Sequence, residues 1–337
     1  MVVVLVVVDV LATTVHLSSY ALSPGPTIAV SGMISVPAKL RRPLHGGVYM
    51  TAIYEKPAHP IDVAHSWVDS NLQIVPAQSV SGGLSDSELQ QLNAEQMTNS
   101  KQDAEVVALR LLGYTVPEHG TGAQIVQVQA GSPAAGHLSA AETITAVDGK
   151  PISLVADVHG ALVGVTPGQA VTLSVERPSG GSRQVTLVTG RNPQDPSVAF
   201  LGVALTTRDD HFDMPIAVNI DAQGIGGPSA GLAFTLGLLD EMTNGDLTGG
   251  HKVAATGEIE TDGTVAAVGG VDLKAVSVAA SGATLFLVPR ADYQQAASRA
   301  GPHLRVVAVN SVADALAALA KIGGDVPHLP LPTPPAQ

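Results

Sequence analysis

GGPSAGLAFTLGLLDEMTNGDLTGG, residues 226–250, joins a glycine-rich loop to a run of apolar and small residues at helical spacing. Strand-like and helix-like runs alternate around it, at 216–220, 229–241, 271–280, 284–288, 304–309 and 312–322. This alternation predicts an α/β fold for the last third of the chain, residues 200–325.

Ser229 stands where the glycine-rich loop meets the predicted helix. A helix N-terminus offers unpaired N–H groups and the positive end of the helix dipole to an oxyanion. Ser229 is therefore a candidate nucleophile. Serine is also a common helix N-cap, so this stretch alone leaves a purely structural role open.

Lys274 lies inside VDLKAVSVAA (271–280), where Asp272 is the only other charged residue. An ammonium in apolar surroundings loses hydration, so its pKa falls and the neutral amine can accept a proton from a nearby hydroxyl. A lysine that extends its charged end from a surface helix is the alternative.

Upstream, the sequence pattern of residues 113–191 predicts a compact β-rich unit. It indicates strands at 124–129, 143–147, 170–176 and 182–188 and a helix at 154–163. GAQIVQVQAGSPAAG (122–136), ITAVDGKPI (144–152) and VADVHGAL (155–162) resemble a PDZ domain of the kind attached to exported bacterial proteases. The resemblance implies a groove that binds peptide C-termini between strand 124–129 and helix 154–163, with residues 112–116 as the carboxylate loop. Its candidate binding residues are Gly113, Tyr114, Gln124, Ile125 and Val126.

The 226–250 block, together with VAATGEIETDGTVAAVGGVDLKAVSVAASGATLFLVPRAD (253–292), resembles the proteolytic domain of Lon proteases. By this resemblance Ser229 is the nucleophile of a serine endopeptidase, Lys274 the general base, and Thr256 the hydroxyl that orients the lysine. The oxyanion would lie near the amides of Gly227 and Ser229.

No G-x-x-x-x-G-K-[ST] motif occurs in the sequence. With its PDZ-like and Lon-like blocks, the chain resembles the ATP-independent, PDZ-containing Lon-like serine peptidases of bacteria. That resemblance implies cleavage of unfolded or PDZ-recruited proteins and peptides, and a possible homo-oligomeric ring.

From Val2 to Leu22 the sequence is apolar apart from Asp9, His16 and a few hydroxyls, and it is long enough to cross a bilayer. It predicts a membrane anchor or signal-like helix at 1–22. The chain would then be a single-pass protein of the cell membrane with an extracytoplasmic catalytic part. A buried strand is the alternative.

These observations predict an α/β (α+β) protein with a PDZ domain at 113–191, a Lon-type proteolytic domain at 192–325, and a proline-rich tail at 326–337. Residues 23–112 form an N-terminal region. Its strands are candidates for completing the protease sheet. The sequence also predicts one or two outer helices over residues 79–112.

Composition narrows the classes of partner. The chain has 337 residues, and 29 acidic residues against 17 Lys and Arg give a net charge of −12, so nucleic acid is not an expected partner. The absence of cysteine excludes a disulfide scaffold, a thiolate zinc site and a cysteine nucleophile. His45, His59 and His65 lack metal-binding spacing, and neither metal nor cofactor is expected.

Two other functions fit parts of the sequence. The chain is a catalytically silent, membrane-tethered PDZ adaptor if its Lon-like block serves only as a scaffold. It is a Ser-His-Asp α/β-hydrolase if residues 227–231 form a G-x-S-x-G elbow, with Asp292 and His303 as partners. Substitution of His251 and His303 separates that hydrolase from a Ser-Lys enzyme.

Overall fold

The computed structural model describes residues 17–193, 195–243 and 246–326. The chain divides into two compact units. Val116–Met214 forms one, here called the inserted unit, and the segments before and after it combine into the other, here called the first unit.

The strands of the described residues, in chain order, are β1 (Ser19–Ala29), β2 (Ile34–Ser35), β3 (Gly47–Pro57), β4 (Gln73–Pro76), β5 (Glu118–His119), β6 (Ala123–Val128), β7 (Thr143–Val147), β8 (Lys150–Pro151), β9 (Ala170–Glu176), β10 (Ser182–Val188), β11 (Gly190–Arg191), β12 (Ala199–Phe200), β13 (Val203–Thr207), β14 (His211–Phe212), β15 (Asn219–Ile220), β16 (Lys252–Ala255), β17 (Glu258–Ile259), β18 (Val265–Ala266), β19 (Leu285–Pro289) and β20 (Arg305–Val309). The helices are α1 (Pro60–Ser66), α2 (Ala77–Ser81), α3 (Asp86–Leu111), α4 (Val155–Leu162), α5 (Gly231–Met242), α6 (Val271–Ala280), α7 (Tyr293–Ala297) and α8 (Val312–Ala320), with 3₁₀ turns at Val30–Gly32 and Arg290–Asp292.

The first unit is built on a six-stranded sheet with the order β20-β19-β16-β3-β1-β4. The strands from β20 to β3 are parallel, and β1 runs antiparallel to both β3 and β4. β1, β3 and β4 precede the inserted unit and the other three strands follow it, so both halves of the chain form one sheet. The α/β prediction is confirmed.

Alternation along β16 explains why helices cover both faces of this sheet. Val253 and Ala255 pack in the core cluster that contains α5, while Ala254 packs in the cluster that contains α6. Neighbouring strand residues point to opposite faces, and buried parallel strands are apolar on both. The helix that follows Ser229, α5, and the helix that carries Lys274, α6, therefore lie on opposite faces of the sheet.

Of the region 79–112, for which the sequence predicts one or two outer helices, α3 forms most as one continuous helix, and α2 ends at Ser81. Ser85 caps α3 in a reciprocal arrangement with Glu88. Its second half is not on the outside, because Ala104, Val107 and Leu111 are buried in the main core cluster.

The inserted unit contains the antiparallel strand path β10-β9-β7-β6-β13 and the helix α4. The predicted strands 170–176 and 182–188 match β9 and β10. A core separate from that of the first unit contains Ile125, Ile144, Leu173 and Val158. The β-rich character predicted from the sequence is confirmed, and the unit extends past Arg191 to include β13.

The predicted N-terminal helix at 1–22 is wrong over its last residues. Ser19–Leu22 belong to β1, which pairs with β3 on one edge and β4 on the other. Tyr20 and Ala21 are buried there. The prediction failed because a strand inside a sheet can be as apolar as a membrane segment. Residues 1–16 lie outside the described residues. Among the described helices, none combines the length and the apolar character that a bilayer crossing requires.

Candidate active site

A cleft of about 940 Å³ in the first unit contains both candidate catalytic residues, Ser229 and Lys274. Its walls include the loop Gly224–Ala230 and the stretch Met50–Glu55 of β3. The volume lies within the usual range for substrate sites. Thr256, which directly follows the parallel strand β16, is hydrogen-bonded to both Ser229 and Lys274, so both residues lie near the carboxyl end of that strand, where open α/β sheets bind ligands.

The glycine-rich loop presents Ser229 just ahead of α5. Ala230 is the N-cap residue and makes no side-chain capping bond, so Ser229 does not act as the helix cap. Within the described residues, the Ser229 hydroxyl makes no hydrogen bond and its backbone N–H has no protein acceptor. Ser229 therefore offers both a hydroxyl and an amide to a bound substrate.

Lys274 lies on α6 with 3% of its surface exposed. Its Nζ donates to Thr256 Oγ1 at 3.1 Å. Burial lowers the pKa of Lys274 to about 7, although the negative charge of Asp292 acts in the opposite direction. In the described part of the chain no ion pair joins Lys274 to an acid. A substantial share of the amine is therefore neutral near pH 7.

Thr256 connects the lysine to the serine loop. It follows β16 directly, is fully buried, and donates through Oγ1 to the Ser229 carbonyl oxygen at 3.1 Å. The Gly257 N–H donates to the same carbonyl at 3.0 Å. The structure thus links Lys274 through the Thr256 hydroxyl to the backbone of Ser229.

Gly227 does not fit the role of oxyanion donor expected for it. Its N–H donates to the Asn93 carbonyl oxygen at 2.8 Å, so the amide is already satisfied. Its φ of +86° explains why glycine stands here, since other residues are strained in that region. Asn93 lies on α3, and Ser100 of the same helix donates to the Pro228 carbonyl oxygen at 2.9 Å. Sequence reasoning missed both contacts because α3 carries no catalytic motif.

The predicted PDZ groove on strand 124–129 is wrong in its choice of strand. Gln124 and Ile125 lie in β6, which pairs with β13 on one edge and is bonded to residues 142–144 on the other. Val126 is an exposed bulge residue in the β6–β13 pairing. A peptide cannot add as a strand to an edge that is already paired.

Gly113 and Tyr114 also lie outside the inserted unit. They end α3, where Gly113 has a φ of +85° and the Tyr114 N–H donates to the Leu109 carbonyl oxygen. The sequence contains a second Leu-Gly pair, Leu201-Gly202, directly ahead of β13. The alternation of Val203–Thr207 after this pair was the available signal for the strand that is missing from the prediction.

β13 is the last strand in its sheet order, with only β6 beside it among the described residues. Its last residue contacts the start of α4, because the Val155 N–H donates to Thr207 Oγ1 at 3.2 Å. An unpaired strand edge beside a helix is the arrangement to which an extended peptide can add.

The Ser-His-Asp alternative lacks its histidine. No histidine is found among the described residues that line the cleft, and His303 is exposed. Asp292 accepts a hydrogen bond from the Val268 N–H at 2.9 Å and exerts its charge on Lys274.

Comparisons with known proteins divide the chain in a similar way. Residues 110–189 match the PDZ domain family, and residues 204–321 match the Lon protease (S16) C-terminal proteolytic domain. Lon protease of Methylocella silvestris is 37% identical over 112 residues, and Lon protease of Phenylobacterium zucineum is 36% identical over 109 residues. Each alignment covers 32% of this chain and 14% of the relative, so the chain matches only a small part of these relatives' length.

Among solved structures, a solution structure from Geobacillus thermodenitrificans is 28% identical and covers 25% of this chain and 95% of its own, with a TM-score of 0.23. The PDZ domain of an SdrC-like protein from Listeria monocytogenes is 19% identical and covers 25% of this chain and 87% of its own, also with a TM-score of 0.23. The chain therefore contains one region similar to PDZ domains and one region similar to the proteolytic domain of Lon proteases.

Proposed function

We propose that this chain is a serine endopeptidase in which Ser229 is the nucleophile and Lys274 the general base. The match to the Lon proteolytic domain supports the serine peptidase class. The observation that carries the dyad is the burial of Lys274 without an acidic partner, in the same cleft as Ser229. A buried cation that is not paired for structural reasons is a candidate for proton transfer.

The reaction follows from these positions. The neutral Lys274 amine takes the proton of Ser229 Oγ as that oxygen attacks the substrate carbonyl carbon. The negative charge that develops on the carbonyl oxygen is stabilised by the Ser229 N–H and the N-terminal end of α5. The Lys274 ammonium then gives its proton to the leaving amine. A water molecule, deprotonated by the same lysine, hydrolyses the acyl-enzyme.

Thr256 has a supporting role in this scheme. Its hydroxyl accepts one N–H of Lys274 and donates its own hydrogen to the Ser229 carbonyl. This contact fixes the lysine so that its lone pair remains available to the serine hydroxyl.

We further propose that peptide cleavage by this chain needs no ATP, since its sequence contains no phosphate-binding G-x-x-x-x-G-K-[ST] loop. The inserted unit would recruit substrates by pairing a peptide C-terminus with the free edge of β13, beside α4. The proposed groove lies at β13 and not at β6 because both edges of β6 are already paired.

The test is cleavage of a quenched fluorogenic peptide by the full chain without nucleotide. Wild-type protein is expected to be active, and Ser229→Ala to lower kcat/KM by about 10⁴-fold or more. Added ATP is expected to leave the wild-type rate unchanged. A fluorescent peptide with a free C-terminus, measured by anisotropy, reports recruitment by the inserted unit.

Inactive wild-type protein that still binds the C-terminal peptide would favour the silent adaptor. Full activity in Ser229→Ala would overturn the nucleophile assignment. An amidated version of the same peptide is the matched control, because it lacks the carboxylate on which recruitment depends.

A further inference from the structure

Helix α3 holds the nucleophile loop at two neighbouring residues. The Asn93 carbonyl accepts from the Gly227 N–H, and the Ser100 hydroxyl donates to the Pro228 carbonyl. Asn93 and Ser100 are seven residues apart, which is about two helical turns, so they lie on one face of α3.

Ser100 acts on the peptide unit that contains the candidate oxyanion donor. The Pro228 carbonyl and the Ser229 N–H belong to one peptide plane, and the described residues contain no cis peptide bond. In a trans peptide, C=O and N–H point in opposite directions. A hydroxyl that holds the carbonyl toward α3 therefore directs the Ser229 N–H away from α3.

The contact is tight and shielded from water. Ser100 is only 2% exposed, and a Cβ added at Gly231 would stand 3.0 Å from its Oγ. At Gly226, an added Cβ would stand 2.9 Å from Asn93 Cβ. Gly226 of the loop and Gly231 at the start of α5 thus permit the close approach of α3, and the Ser100 hydrogen bond forms where water does not compete for it.

From this geometry we propose that Ser100 is a positioning residue that orients the Ser229 N–H toward the oxyanion of the transition state. The proposal rests on the proposed peptidase function. The Gly227 N–H is already bonded to Asn93, so the orientation of the Ser229 N–H decides whether it can donate to the oxyanion. Ser100 is the side chain that bonds to the peptide unit containing this N–H.

The test compares Ser100→Ala with Ser81→Ala in the full chain. Ser81 is a matched control because its buried hydroxyl also donates to a backbone carbonyl, that of Ala77, and Ser81 itself does not line the cleft, although Ser79 and Val80 do. Ser100→Ala is expected to lower kcat about 10-fold and to leave KM within about 2-fold, since the lost contact acts on the transition state. Ser81→Ala is expected to match wild type.

Two further readouts separate positioning from general loosening of the fold. A peptide boronate bonds to serine and places an oxygen in the oxyanion position, so its affinity should fall in Ser100→Ala in proportion to kcat. The pH dependence of kcat/KM should keep its midpoint, because Lys274 is untouched. If Ser100→Ala does not fold, Ser100→Cys preserves the packing with a weaker donor, and a reduced kcat is still expected.

Wild-type kcat and boronate affinity in Ser100→Ala, or in Ser100→Cys where that variant decides, would overturn the proposal. So would a shifted pH midpoint, which would mean that the substitution acts through the lysine. Wild-type protein that cleaves nothing, or Ser229→Ala that retains activity, would instead overturn the proposed function. The two failures are therefore distinguishable.

Discussion

Two buried charges, one in each unit, have opposite surroundings. In the inserted unit Glu142, 6% exposed, accepts hydrogen bonds from Arg183 through both carboxylate oxygens. Burial pushes the pKa of Glu142 upward, but hydrogen bonds from Arg183 and the Ser139 N–H outweigh it and hold the pKa below its usual range. In the first unit the hydrogen bond of Lys274 goes to the neutral hydroxyl of Thr256, and burial outweighs the charge of Asp292 and lowers the pKa of Lys274 to about 7.

The difference separates structure from chemistry. A paired buried charge stays ionised and holds elements together, as Arg183 of β10 ties down the residue that precedes β7. A buried charge without a partner can release or take up a proton near neutral pH, at a cost in stability. Removing Lys274, or removing the partner of Glu142, should therefore have opposite effects on stability.

Removal of the lysine should have the largest effect. Lys274→Met is expected to lower kcat/KM about 10³–10⁴-fold because the proposed general base is lost. The same change should raise the free energy of unfolding at pH 7 by on the order of 3 kcal/mol, because a buried ionisable group is replaced by an apolar one. Denaturant unfolding beside the peptide assay measures both.

The stability gain has a predicted pH dependence. The pKa of Lys274 in the folded chain is below its unfolded value, so between about pH 7 and pH 10.5 the unfolded state binds more protons and stability rises with pH. The gain from Lys274→Met should therefore shrink toward pH 10. A gain that stays constant over this interval would contradict the lowered pKa.

The second-largest effect is expected in the pH dependence of kcat/KM of the wild type. Since the neutral amine is the base, kcat/KM is expected to rise about tenfold per pH unit below pH 7 and to level off above it. The rate measured from pH 5 to pH 9 checks this. His251→Gln combined with His303→Gln is the matched control, and a lost or moved inflection in that variant would favour a histidine base.

The paired charge predicts a smaller effect of the opposite kind. Arg183→Met leaves Glu142 buried without its partner and should destabilise the inserted unit by about 2 kcal/mol, a value reduced because Arg183 is partly exposed. Unfolding followed by a probe in that unit measures the loss. Adding Glu142→Gln should restore most of it, and a double variant no better than the single one would show that packing, not charge, is responsible.

Peptide recruitment should give the smallest and most local signal. Binding of a peptide C-terminus is expected to slow hydrogen exchange at amides of Val203–Thr207 in β13 and to leave Ala123–Val128 in β6 unchanged, since β6 is already paired on both edges. Exchange measured with and without peptide tests this. New protection confined to β6 would return the groove to the strand that the sequence indicated.

The candidate catalytic residues could be picked out from the sequence because each stands in a contiguous pattern. Ser229 is marked by its glycine-rich loop and Lys274 by its isolation in an apolar helix, and the blocks that resemble Lon proteases place Thr256 between them. The α/β alternation of the last third was readable for the same reason. The pKa of Lys274 needed the fold, since its value depends on burial.

Strand neighbours and supporting contacts could not be read this way. The partner of β6 is β13, about 75 residues further along the chain, and nothing local to Gln124 or Ile125 indicates that pairing. The apolar run around Tyr20 fits a membrane segment and a central strand equally well, and only its pairing with β3 decides between them. Ser100 meets Pro228 across 128 positions of sequence.

The order of the segments along the chain also affects synthesis. The two ends of the inserted unit lie side by side, since the Asp213 N–H donates to the Pro117 carbonyl and β5 pairs with β14. α3, which holds the serine loop, is translated before residue 116, and the loop itself after residue 214. A nascent chain thus cannot assemble its nucleophile until the whole inserted unit has left the ribosome. The candidate catalytic centre also includes Lys274, so it cannot be complete before residue 274 has been translated.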